Sequence, residues 1–215
     1  KMLVGGANFY DGSDKLYRLK RLNADGTRDT GWAPGNGETG IAGDVNSIVV
    51  SGSDVYVGGS FTSRWNGTTV YRWNVYKVAA ADGFFNVPFT GCMDATPASS
   101  VCGPSTSGQP GGLSNAVNAL AVDSYGLLAA GVFTQYNPNE PSVKSRKGVA
   151  RLALNNGSLD TTNWTCDGGF TKTGGGMAVN AMVLQPDGRW LHFNDAAISV
   201  VPFGQVLAER PYMLV

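Results

Sequence analysis

Apolar residues in this chain fall in runs of four to eight, rich in Val, Tyr and Phe, each bounded by Gly, Asn, Asp or Ser. That pattern predicts short strands, since a helix would space its apolar positions three and four apart over a longer stretch. No long segment keeps the helical period. Strands are expected at Val45–Val50, Val55–Phe61, Val70–Ala79 and Phe84–Phe89. The turns between them are Gly52-Ser53-Asp54, Asn66-Gly67 and Asp82-Gly83. Asn-Gly and Asp-Gly pairs favour tight hairpins because both residues tolerate positive φ.

The pattern repeats. VNSIVVSGSDVYVGGSFT (Val45 to Thr62) returns as VNALAVDSYGLLAAGVFT (Val117 to Thr134), and again as VNAMVLQPDGRWLHFND (Val179 to Asp195). LVGGANF (Leu3 to Phe9) matches YVGGSF (Tyr56 to Phe61). Such a period marks stacked supersecondary units. The anchors Val45, Val117 and Val179 are 72 and 62 residues apart, and Leu3 and Tyr56 are 53 apart. The 21 residues from Cys92 to Gly112 are poor in large apolar side chains and read as an insertion; without them the longest spacing falls close to the first. A second anchor set follows: RLNADGTRDTGW (Arg21 to Trp32), KVAAADGFFNVPF (Lys77 to Phe89) and RLALNNGSLDTTNW (Arg151 to Trp164). The chain is therefore read as one domain over 1–215. Its units are 1–44 (partial), 45–116, 117–178 and 179–215 (partial), each full unit having four strands.

Composition narrows the class. Asp outnumbers Glu by 13 to 3, which suits turns better than helices. Lys plus Arg balances Asp plus Glu at 16 each, so no long-range field favours nucleic acid or an anionic membrane. No apolar run approaches the roughly 20 residues that span a bilayer, so no membrane insertion is expected. The sequence starts at Lys1, inside a repeat, and stops on PYMLV. It reads as a piece of a longer protein, with further repeats or neighbouring subunits as partners.

Candidate chemistry is sparse. Cys92 and Cys102 bracket the insertion, and a disulfide between them would restrain that loop and imply an oxidising compartment; the other reading is two unrelated thiols. Cys166 is left over. His192, in WLHFND, is the only histidine and reads as structural or surface-exposed. No nucleophile-elbow, zinc-protease or phosphate-loop pattern occurs. The Asp and Asn clusters read as turns; calcium held by their oxygens is the alternative, though the spacing of a calcium loop is missing. No other cofactor is expected. Trp65, Asn66, Tyr71, Arg72 and Trp73 lie within ten residues, and aromatic faces flanked by hydrogen-bonding groups suit sugars or partner side chains. Packing between units is the plainer reading for Tyr71 and Trp73. Tyr136 opens the loop Gln135–Lys147, which interrupts the repeat and joins the candidate ligand-contact set. Lys144, Arg146 and Lys147 read as a solvated basic cluster rather than an anion site.

VNSIVV, VYVGGSFT, WNG, RLNADGTRDTGW, VNALAV, LAAGVFT, RLALNNGSLD and VNAMVLQPDG together resemble the delta-60 repeat of bacterial surface and secreted proteins, a β-propeller-like family. The resemblance implies an all-β fold of four-stranded antiparallel units, closed as a propeller or forming a fragment of one. It leaves activity open, because the family is defined by its scaffold. The insertion, the degenerate DGFFNVPF and the loss of the Gly pair in LHFND depart from the pattern.

The expectation is a non-enzymatic, extracellular or surface module that holds loops for a protein or glycan partner. The alternatives are a structural subunit of a surface assembly or virion appendage, and a glycan-active propeller enzyme with carboxylates paired across units.

Overall fold

The computed structural model describes residues 1–10, 16–32, 41–63, 73–84, 112–136, 143–162, 164, 170, 178–182, 190–194 and 197–201. In chain order the strands are β1 (Met2–Tyr10), β2 (Leu16–Leu22), β3 (Ile41–Ser51), β4 (Asp54–Ser63), β5 (Trp73–Ala79) and β6 (Val117–Val122). They continue as β7 (Leu127–Gly131), β8 (Gln135–Tyr136), β9 (Lys144–Ser145), β10 (Val149–Leu152), β11 (Trp190–Asn194) and β12 (Ala197–Val201). No helix occurs among the described residues.

The strands form small antiparallel sheets: β1-β2, β3-β4-β5, β6-β7-β10, β11-β12 and the short pair β8-β9. Register proves the repeat residue by residue. Gly5 pairs with Leu19, Gly58 with Val75 and Ala130 with Val149. Leu3 pairs with Arg21, Tyr56 with Lys77 and Leu128 with Arg151. The first strands match as well, with Val45 opposite Gly59 and Val117 opposite Gly131, each followed by a bulge. Units 1, 2 and 3 are thus built on β1-β2, β3-β4-β5 and β6-β7-β10.

The anticipated turns at Asp25-Gly26, Asp82-Gly83 and Asn156-Gly157 form, and Asn66-Gly67 lies outside the described residues. Gly26, Gly83 and Gly157 hold φ of 83°, 81° and 73°, a region that an L side chain rarely enters. The preceding side chain locks each turn: Asp25, Asp82 and Asn156 accept the backbone N–H two residues on, at 3.0, 2.9 and 3.0 Å. The fourth strand is a correction. In units 1 and 3 it shrinks to single bridges, Leu22 to Arg28 and Leu152 to Leu159. The polar turn residues carry the chain away after one pairing. In unit 2, Ala79 N–H donates to the Phe84 carbonyl at 2.8 Å, and residues 85–89 lie outside the described set, as do 70–72. Near the start of unit 4, residues 178–182 are not in a strand, although Val179 N–H donates to the Gly131 carbonyl at 3.0 Å.

The core lies between units rather than inside one. Successive side chains of a strand face opposite ways. On β4, Val55 and Val57 join Leu19, Trp32, Val45, Phe61, Tyr76 and Val78 against unit 1. Tyr56 points the other way and joins Val75, Val117, Leu120, Leu127, Ala129 and Leu152 against unit 3. Phe61 meets Tyr76 edge-on at 5.0 Å. Each fully buried valine contributes on the order of 1.5–3 kcal/mol, so a single sheet with bare faces would forfeit most of its stabilisation.

The glycine pair explains how units nest. A Cβ on Gly58 would meet Val117 Cγ1 at 2.7 Å, and one on Gly5 would overlap Val45 in the same way. The first glycine therefore seats the valine of the next unit's Val-Asn pair. A Cβ on the second glycine would overlap the backbone carbonyl just before the valine paired with it, that of Asp44 for Gly59 and of Ala116 for Gly131.

Candidate functional site

Two rows of polar side chains stitch unit to unit. The first is made by the asparagine of each Val-Asn pair. Asn46 Nδ2 donates to the Val117 carbonyl at 3.1 Å and to Asn118 Oδ1 at 3.4 Å. Asn118 Nδ2 repeats this on the Val179 carbonyl at 3.0 Å and on Asn180 Oδ1 at 3.3 Å. The amides form a forward-pointing ladder across three units.

The second row starts at the opposite strand ends. Arg21 donates to the carbonyls of Ala80 and Ala81 in the turn of unit 2. Lys77, its equivalent, donates to the carbonyls of Leu154 and Asn155 in the turn of unit 3, both at 3.3 Å. Each basic residue is anchored within its own unit: Arg21 Nε by Asp29 at 2.7 Å and Lys77 by Asp54 at 3.3 Å. A charge held by its own carboxylate costs less to bury than an unpaired one.

The third member of the row, Arg151, sits in a richer setting. Asp123 pairs with its guanidinium, Asp160 lies at 3.9 Å, and the rings of Trp164 and Tyr125 stack on it at 4.5 and 5.2 Å. Arg21 has a comparable partner in Trp32, at 5.5 Å. Cation–π contact fixes both guanidiniums. Tyr125 differs from the other rings here because it is 67% exposed.

Titration follows these contacts. The Lys1 ammonium and Arg21 hold the Asp29 carboxyl below its ordinary range. Thr27 does the same for Asp25 through its hydroxyl and N–H. Burial pushes the Tyr56 phenol up to about 12, with the charge of Asp54 adding to it. Burial alone drives Tyr76 well above its usual value. Lys20, which occupies in unit 1 the place of Tyr76, is lowered to about 8 by burial and by the charge of Arg28.

Most of the candidates named from sequence fall outside the described residues. Trp65, Asn66, Tyr71, Arg72, Cys92 and Cys102 lie outside the described residues. The Trp73 backbone pairs with Thr62 at the start of β5. Tyr136 is a core residue, 2% exposed, whose hydroxyl donates to the Gly157 carbonyl at 3.0 Å. Its ring packs in the core cluster with Leu113, Phe133 and Leu159 rather than facing solvent. Of the basic cluster, Lys144 and Lys147 are exposed and Arg146 is half-buried, its guanidinium donating to the Ser145 carbonyl at 2.7 Å. His192 pairs in β11 with Ser199 of β12. Among the described residues no group of three or more His, Cys, Asp or Glu is placed to hold a metal ion.

Sequence reading missed the Tyr125–Arg151–Trp164 stack and both ladders. The signal was present, since Asn46, Asn118 and Asn180 recur as polar residues inside otherwise apolar anchors. So do Arg21, Lys77 and Arg151. What the sequence lacked was the identity of the partner, which belongs to the next unit.

Small antiparallel sheets, packed against one another through a repeated seam, define an all-β repeat. A family model described as a domain of unknown function (DUF5122), beta-propeller, matches residues 1–31, the stretch holding β1, β2 and the Asp25-Gly26 turn. No curated protein and no solved structure matches the chain.

Proposed function

We propose that this chain is a non-enzymatic propeller-like module of the delta-60 repeat type, extracellular or on a cell surface, that binds a protein or glycan partner without a cofactor. One observation carries the reading. Of the five exposed large apolar side chains among the described residues, four lie at one end of the units, the end of the hairpin turns, and the fifth, Val143, precedes β9. Val50 is the next-to-last residue of β3, Phe84 follows the Asp82-Gly83 turn, Tyr125 lies in the turn after β6, and Met2 opens β1. Solvent exposure of several such residues at one end is costly without a partner. Tyr125 is also preorganised by Arg151, which suits stacking on a sugar or a side chain.

The test is binding of the full chain to an array of oligosaccharides and to a panel of extracellular protein domains. Tyr125→Ala and Phe84→Ala should each weaken the signal at least about tenfold while leaving thermal unfolding in place. Absence of a binder on both arrays, turnover of an arrayed glycan, or indifference to both substitutions would sink the reading.

A further inference from the structure

The two seams show what a complete strand edge looks like, and among the described residues β1 lacks it. In unit 2, β4 lies between β3 and β5; in unit 3, β7 lies between β6 and β10. In unit 1, β1 pairs with β2 on one side, and no described strand pairs with the other. The side chains agree. Met2 is 56% exposed, whereas Val55, its equivalent, is 1% exposed. A Cβ on Gly6 would meet nothing within 4 Å, whereas one on its equivalents Gly59 and Gly131 would strike the backbone of β3 and of residue 116. The ladder agrees too. The Val45 carbonyl and Asn46 Oδ1 occupy the places where Val117 and Asn118 accept an asparagine amide. Among the described residues no side-chain amide donates to them.

We infer that the free edge of β1 is a docking site for one further strand of the same repeat type, antiparallel and carrying a Val-Asn pair. The register follows from the two filled edges. The incoming valine lies opposite Gly6, as Val45 lies opposite Gly59 and Val117 opposite Gly131. The apolar residue three positions on lies opposite Val4, as Ile48 lies opposite Val57 and Leu120 opposite Ala129. The one five positions on covers Met2, as Val50 pairs with Val55. The incoming asparagine donates to the Val45 carbonyl and to Asn46 Oδ1. Main-chain pairing along an open edge supplies affinity, and the Val-Asn pair supplies the register. This inference is independent of which partner the turn end binds.

The probe is a synthetic peptide with the sequence of residues 42–52, AGDVNSIVVSG, titrated into the full chain. It should bind saturably at one site and slow amide exchange across Met2–Gly6. Replacing its asparagine by alanine should weaken it roughly tenfold, the worth of about one buried hydrogen-bonded amide. Gly6→Val in the protein should abolish binding, and the exchange readout on the unaltered chain stands if that variant folds poorly. Three outcomes overturn the inference. The first is no binding by a monomeric chain, which means its own residues fill the edge. The second is a self-associated chain that the peptide cannot dissociate. The third is equal binding of the alanine and asparagine peptides.

Discussion

Units 1 and 2 share a strand motif, a turn and a basic anchor, yet they live in different surroundings. Unit 2 is covered on both faces: Val55, Val57, Tyr76 and Val78 meet unit 1, and Tyr56 and Val75 meet unit 3. Unit 1 shares only one described seam, that with unit 2. On its other face Lys20 stands where unit 2 has Tyr76, and Met2 where it has Val55. Lys20 is itself buried, 4% exposed, so a desolvated amine stands where unit 2 packs a ring. The motif therefore sets the strand, and the neighbour decides what its side chains cost or contribute.

Matched substitutions sharpen that difference. Gly59→Ala should cost the most, about 3 kcal/mol, because the new methyl strikes a backbone carbonyl that cannot turn aside. Gly6→Ala should lie within about 0.5 kcal/mol of neutral, since the space around it is open. Chemical denaturation of both variants measures the gap. Equal losses would show that Gly6 is enclosed after all.

Val55→Ala should cost about 2 kcal/mol by loss of buried methyls and a residual cavity. Met2→Ala, at its exposed equivalent, should change stability by less than about 0.5 kcal/mol. Thermal unfolding of the pair checks this.

Alkaline titration separates the units next. Lys20 has a folded pKa lowered to about 8, so the unfolded chain binds the extra proton between about 8 and the ordinary lysine value. Stability should therefore rise with pH across that window, by at most about 1.4 kcal/mol per pH unit. Lys20→Met should flatten the rise. Tyr56 and Tyr76 act with opposite sign. Their raised values favour the neutral phenol in the fold, so stability should fall as pH climbs above the ordinary tyrosine value of 10. Denaturation midpoints measured from pH 7 to 11 should pass through a maximum that Lys20→Met removes.

The smallest effect expected is in the asparagine row. Asn118→Ala breaks the ladder on both sides and should cost about 1 kcal/mol. Asn46→Ala breaks only its forward bonds and should cost less. Equal values from urea titrations would mean that the ladder contributes nothing beyond the solvated amides.

Much of this architecture was legible in the sequence. Turn pairs place Asp25-Gly26, Asp82-Gly83 and Asn156-Gly157, because left-handed backbone leaves few residue choices. Alternating apolar runs place β3, β4 and β6. The fourth strand of units 1 and 3 was not legible as a single bridge, since local strand propensity at Arg28 and Leu159 says nothing about available partners. The site was hardly legible at all. Tyr136 sits in a loop by sequence but in the core by packing, and an exposed turn tyrosine such as Tyr125 gains its meaning only from Arg151, 26 residues on. Contacts to a neighbouring unit follow no local pattern, so Arg21 gives no hint that it reaches Ala80.

Both polar rows point the same way along the chain: Asn46 and Asn118 offer their amides, and Arg21 and Lys77 their cations, to the unit that follows. A stretch of coding sequence that is copied in tandem thus brings along half of every junction it requires and finds the other half waiting. Lengthening or shortening such a protein during evolution calls for no newly invented contact, and drift can erode one copy, as in LHFND, while its neighbours keep theirs.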